Sequence, residues 1–108
     1  MSVERLRLAD EAMRMEEYSK AHSMYEDIVN LYRHEFNRHQ ISIIIASMAK
    51  CSNHLQYYER AIQEATLALN EDATCVIALK QRATSFFKLK NYERAQIDIQ
   101  DSIALARK

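Results

Sequence analysis

Cys51 and His54 stand three residues apart, so on a helix they share one face, where a divalent metal could find a thiolate and an imidazole. No other Cys or His follows at a helical spacing to complete a ligand set. The two are read as isolated, partly buried side chains. His22 with Glu26, and Tyr25 with Asp27, could be taken as acid–base pairs, but residues so spaced ordinarily decorate exposed helix faces. Glycine is absent altogether, which leaves no Gly-rich loop to cradle a phosphate. No catalytic residue, metal site or cofactor is expected, and the chain is read as a non-enzyme. Cys51 and Cys75 make no disulfide framework and are expected to be reduced thiols.

The elements that carry these residues follow from composition. A chain of 108 residues supports one domain with a modest core. Proline is missing as well as glycine, and 48% of residues are apolar against 28% charged. Hairpin turns draw on Gly and Pro, so a sheet-rich fold is disfavoured and helices with short polar connections fit better. Fifteen basic and fifteen acidic residues balance, which removes the global electrostatic case for binding nucleic acid or membrane. The uncharged stretch Gln40–Ala49 stops at Lys50, well short of the ~20 residues a membrane span needs, and reads as core. Met1-Ser2-Val3-Glu4-Arg5 lacks the apolar stretch of a secretory signal, and a cytoplasmic or nuclear location is expected.

One six-residue pattern occurs three times: Glu16-Glu17-Tyr18-Ser19-Lys20-Ala21, Gln56-Tyr57-Tyr58-Glu59-Arg60-Ala61 and Lys90-Asn91-Tyr92-Glu93-Arg94-Ala95. The second and third alanines are 34 residues apart and the first and second 40, so three units of 34 and a six-residue insertion fill the chain. Twelve residues before each alanine comes another, at Ala9, Ala49 and Ala83. Four and seven residues after it come Tyr25 and Ile28, Ala65 and Ala68, Ile99 and Ser102, on one face of a second helix. Each unit is therefore a pair of amphipathic helices that approach closely through small residues, with a tyrosine wedged between them. Neither helix buries its face alone, and stacking the pairs completes the core. Helices are expected at about 3–15, 18–34, 38–55, 58–70, 75–89 and 92–106, with Thr74 capping the fifth and the insertion lengthening the second and third.

In these features the whole chain resembles the tetratricopeptide repeat family, whose unit carries small residues at its eighth and twentieth positions. It departs from the pattern at Arg33 and Ala73, where the family often has proline, and at Arg5, Ile45 and Leu79, where it has a large aromatic. The resemblance implies an all-α fold of three helix–turn–helix repeats stacked as a short right-handed superhelical solenoid. It divides the single domain 1–108 into repeat 1 at about 2–35, an insertion at about 36–41, repeat 2 at about 42–75 and repeat 3 at about 76–108.

The resemblance also implies a concave groove lined by the first helix of each repeat. Carried over by position, Leu6, Arg7, Met13 and Arg14 line it from repeat 1, Ile43, Lys50 and His54 from repeat 2, and Lys80, Phe87 and Lys88 from repeat 3. The layout is similar to the co-chaperone branch, which commonly grips a C-terminal carboxylate with two lysines, two asparagines and an arginine. Leu6, Asp10, Ser47, Ile77 and Gln81 occupy those positions here, and none matches. The expected role is that of an adaptor or co-chaperone-like module for protein binding. It would take an acidic peptide or surface with apolar anchors, and not a chaperone tail. The alternative is a self-associating assembly module, with Ile97, Ile103 and Ala104 left uncovered on the last helix. RNA binding is the weakest reading, because Phe87 is the groove's only large aromatic.

Overall fold

Small residues line the buried faces of the helices. The six marker residues Ala9, Ala21, Ala49, Ala61, Ala83 and Ala95 are all buried. In the computed structural model, which describes residues 2–107, they belong to six helices: α1 Ser2–Arg14, α2 Tyr18–Leu31, α3 Arg38–His54, α4 Tyr58–Glu71, α5 Val76–Lys88 and α6 Tyr92–Ala106. Met1 and Lys108, the ends of the expected domain, lie outside the described residues. No strand occurs among the described residues. Each helix packs on its chain neighbour, and α3 also lies along α5. The core centres on α3, whose Ile41, Ile44, Ile45 and Met48 are buried against Tyr25 and Ile28 of α2 and the alanines of α4.

The turn inside each helical pair is made without glycine. Glu16, Gln56 and Lys90 take left-handed backbone conformations, with φ of 61°, 66° and 66°. In each turn the residue's N–H bonds the carbonyl three back, and the next N–H bonds the carbonyl five back, as in Glu16 to Met13 and Glu17 to Ala12. This is the Schellman closure, which satisfies the last carbonyls of the first helix and turns the chain sharply into the second.

Two local expectations are corrected. The insertion lengthens only one helix. Helix α3 has 17 residues against 13 for α1 and α5, whereas α2 stops at Leu31 with 14, the same as α4. The remaining residues form a 3-10 turn at Arg33–Glu35. Asn37 then restarts the helix: its side chain accepts the Gln40 N–H at 2.8 Å and Gln40 Oε1 accepts the Asn37 N–H at 2.9 Å. Thr74 does not cap α5. Its N–H and hydroxyl both donate to Asp72 Oδ1, at 2.9 and 2.6 Å, so the hydroxyl points back into the turn and Cys75 takes the cap position without a side-chain bond.

Candidate functional site

Helices α1, α3 and α5 are aimed by polar side chains reaching across the hairpins. Tyr25 of α2 donates to Asp10 of α1 at 2.5 Å, and burial, followed by that bond, raises the tyrosine well above its ordinary pKa. Glu64 of α4 is buried between His22 Nε2 of α2 and the hydroxyl of Ser52 on α3, each 2.5 Å from one of its oxygens. Arg82 of α5 grips Asp98 of α6 with two bonds of 2.8 Å, and the Asp98 hydrogen bond holds the guanidinium above its usual value. Asn53 of α3 donates to Gln81 of α5 and accepts from the Ser85 hydroxyl. Every buried side-chain polar atom among the described residues has a partner.

These contacts correct the reading of His22 and Tyr25 as members of exposed pairs. Both are buried, and their partners are Glu64 and Asp10 instead of Glu26 and Asp27. Cys51 is fully buried, 3.8 Å from the Met13 sulfur, and burial pushes its thiol up to about 12. His54 is exposed and stacks flat on Tyr18, centroids 4.2 Å apart. Cys51 and His54 therefore face different surroundings.

The ten residues expected in the groove fall into three depressions and a remainder. Leu6 and Ile43 line a pocket of about 200 Å³ between α1 and α3, together with Asp10, Phe36, Ile44 and Ser47. His54 and Lys88 meet in a polar depression between α3 and α5 with Asn53, Tyr58, Gln81 and Thr84. Lys80, Phe87 and Lys88 border a third with Ala83 and with Ile99 of α6, which opens at the end of the stack. Met13 is half-buried against Cys51, while Arg14 and Lys50 are exposed. Arg7 is bonded by Glu4 at 2.6 Å and by Glu11 at 3.4 Å, so its charge is offset locally. On α6, Ile97 and Ile103 are each 47% exposed and Ala104 is exposed too. Ile99 and Phe36 were not among the expected site residues. The spacing of Ile99 marks it as a packing position, and Phe36 lies in the insertion, outside the repeat pattern.

No family model matches the sequence, and no curated protein matches it either. The fold does have close structural counterparts. The TPR domain of Arabidopsis OM64 superposes with a TM-score of 0.86 at 21% identity, covering 99% of this chain and 84% of that one. The second TPR of Spaghetti (RPAP3), solved bound to the HSP90 peptide SRMEEVD, gives 0.81 at 20% identity over 96% of this chain and 91% of that one. The first TPR of the same protein, bound to the same peptide, gives 0.85 at 16% identity over 96% and 78%.

Proposed function

We propose, from a fold of tetratricopeptide-type helical repeats, that the chain is a protein-interaction module, an adaptor or co-chaperone-like domain that holds a partner peptide or surface along α1, α3 and α5. The observation that carries this reading is the charge of that surface. Lys50, Lys80 and Lys88 are exposed on α3 and α5, and no salt bridge among the described residues engages them. Phe87 stands beside Lys80 and Lys88, and Ile43 lines a depression further along α3. Such a surface suits an acidic segment with one or two large apolar anchors.

The neighbours' bound HSP90 peptide does not carry over in this proposal. At the five clamp positions Leu6 and Ile77 are aliphatic, Asp10 is an acid committed to Tyr25, Gln81 is bonded to Asn53, and Ser47 bonds the Ile43 carbonyl. A terminal carboxylate would meet no cation there. The proposed role needs no catalysis and no cofactor. Neither nucleic acid nor membrane is the proposed partner. No helix among the described residues is long and apolar enough to cross a membrane.

The test is partner capture with paired charge reversals. Lys50→Glu with Lys88→Glu should abolish capture, whereas Glu59→Lys with Glu93→Lys, on the second helices, should leave it. Equal effects of the two pairs would remove the binding surface from the groove.

A second reading rests on the far end of the stack. Ile99 and Ile103, one helical turn apart on α6, and Phe87 of α5 are all more than 40% exposed, as is Ile97 on another side of α6, and no helix among the described residues covers them. Self-association through this end should show as concentration-dependent sedimentation that Ile97→Lys with Ile103→Lys abolishes. A wild-type monomer at all concentrations rejects it.

A further inference from the structure

Helices α3 and α5 run close together, but α1 and α3 make no comparable backbone contact. The spacing differs where the insertion joins the first hairpin to the second. The gap is occupied from one side by Phe36, the residue between the 3-10 turn and the Asn37 cap, which packs against the core beside Leu6. What remains is the pocket of about 200 Å³ floored by buried Ile44 and walled by Leu6, Phe36 and Ile43. An apolar cavity of ~150 Å³ holds a benzene molecule, so this one accommodates a single leucine- or phenylalanine-sized side chain.

The wall that the insertion contributes is held in place. Ser2 donates to Glu35 at 2.5 Å, Arg33 and Arg38 both bond Glu71 at the end of α4, and His39 lies 2.5 Å from Asp72. The capping box fixes Asn37 next to Phe36. A pocket whose walls are set before binding costs less ordering on association.

Asp10 is the one charged residue lining this pocket, beside the polar side chains of Gln40 and Ser47. Its Oδ1 takes the Tyr25 hydroxyl, no cation among the described residues pairs with it, and the carboxylate retains acceptor capacity for an incoming donor. One helical turn beyond Ser47 on the opposite wall comes exposed Lys50, and Lys80 and Lys88 continue the positive charge on α5. On α1, by contrast, Glu4 and Glu11 flank Arg7. Around the pocket itself the charge is therefore the Asp10 carboxylate, Arg7 being offset by Glu4 and Glu11, while the exposed cations Lys50, Lys80 and Lys88 lie on α3 and α5 and Arg14 at the last turn of α1.

We infer that the pocket built by the insertion is a side-chain subsite, and that it sets the direction and sequence of the bound partner. The fitting partner is a peptide segment in which a large apolar residue stands beside a lysine or arginine and is followed by acidic residues. The apolar side chain enters between Leu6, Phe36 and Ile43, the neighbouring cation bonds Asp10, and the acidic residues run towards Lys50 and Lys88. This rests on the groove-binding reading above and adds the identity of the bound segment.

Selection from a displayed library of random short peptides, with affinities of the selected peptides measured by fluorescence anisotropy, tests it. Wild-type protein should select a basic–apolar pair with acidic residues on one side only. Asp10→Asn keeps an acceptor for Tyr25 and should lose the basic preference alone, with affinity falling about tenfold, the worth of one charge-assisted hydrogen bond. Phe36→Ala should lose the apolar preference. Leu6→Lys, which places a cation beside Asp10 and removes an apolar wall, should lose both preferences, and it stands in should either variant fold poorly by circular dichroism. Selected peptides that depend on Lys50 and Lys88 but carry no basic–apolar pair, or that keep it on Asp10→Asn, overturn the subsite and leave the groove reading standing. Failure to select any peptide that depends on the groove lysines overturns both.

Discussion

Single side chains at the rim of the fold give it a defined pH response. The hydrogen bond from His39, and then those from Thr74, hold the Asp72 carboxyl down at about 2. A carboxyl depressed on folding contributes stability that is complete above its unfolded value and is lost as pH falls through the folded one. Urea midpoints should therefore decline between about pH 4 and pH 2, and Asp72→Asn should flatten that part of the curve. At the other extreme, the Cys51 thiol is buried and pushed up to about 12, so it should resist a disulfide reagent at neutral pH until the protein is unfolded. Rapid reaction of Cys51 in the native state would refute its place under Met13. The sequence showed His22 and Cys51 only as members of helical pairs, and Tyr25 also as a packing position, which its burial bears out. Their true partners are distant in the chain: Glu64 lies 42 residues from His22, Asp10 lies 15 from Tyr25, and Met13 lies 38 from Cys51. Spacing along one helix carries no information about such contacts, because they depend on how two helices are set against each other.

At the scale of elements, the helices were legible because small residues recur at the helix crossings, and Ala9, Ala21, Ala49, Ala61, Ala83 and Ala95 are buried as that spacing requires. The turns were not, since a chain without glycine gives no sign that Glu16, Gln56 and Lys90 must adopt positive φ. Left-handed backbone costs a residue with a Cβ roughly 1–2 kcal/mol, partly offset in a glycine variant by the greater freedom of its unfolded chain. Glu16→Gly, Gln56→Gly and Lys90→Gly should each raise unfolding stability, by about 0.5–1 kcal/mol, as read from denaturant midpoints. Loss of stability at all three would contradict the Schellman turns. Arg82 illustrates the reverse problem. It stands next to Ala83 where the other repeats have Leu8 and Met48, and it spans α5 and α6 to buried Asp98 and donates to Thr66 of α4. Asp98→Ala would strand a largely desolvated guanidinium and should cost about 2–4 kcal/mol, discounted for the partial exposure of Arg82. Arg82→Met with Asp98→Leu should recover most of that loss, since replacing both partners leaves no unpaired charge. A double variant as unstable as Asp98→Ala would mean that the ion pair is not the cause.

For the whole molecule, the distribution of charge on a neutral chain decides which partners it can hold. A surface with exposed lysines on α3 and α5 and balanced charge on α1 binds through exposed charges, whose interaction is screened beyond roughly 8–10 Å at physiological ionic strength. Binding of an acidic partner should therefore weaken as salt rises, with the association rate falling more than the dissociation rate changes. The peptide SRMEEVD offers an acidic sequence but ends in a carboxylate that needs a cluster of donors at one point. The lysines here stand elsewhere, and the positions that the family resemblance assigns to such a clamp hold Leu6, Asp10, Ser47, Ile77 and Gln81. Calorimetric titration with SRMEEVD should give affinity weaker than micromolar. The sharper expectation is a gain of function. Leu6→Lys, Asp10→Asn, Ser47→Asn, Ile77→Lys and Gln81→Arg together restore the clamp chemistry on exposed or half-buried positions, and Asn at position 10 still accepts the Tyr25 hydroxyl. If the backbone already places these positions as the neighbouring folds place theirs, the fivefold variant should bind the peptide at least tenfold more tightly than wild type, about 1.4 kcal/mol. Tight binding by the wild-type chain would show that a carboxylate can be held without the clamp. A folded variant with no gain would show that the insertion has moved α1 relative to α3 too far for the five side chains to converge.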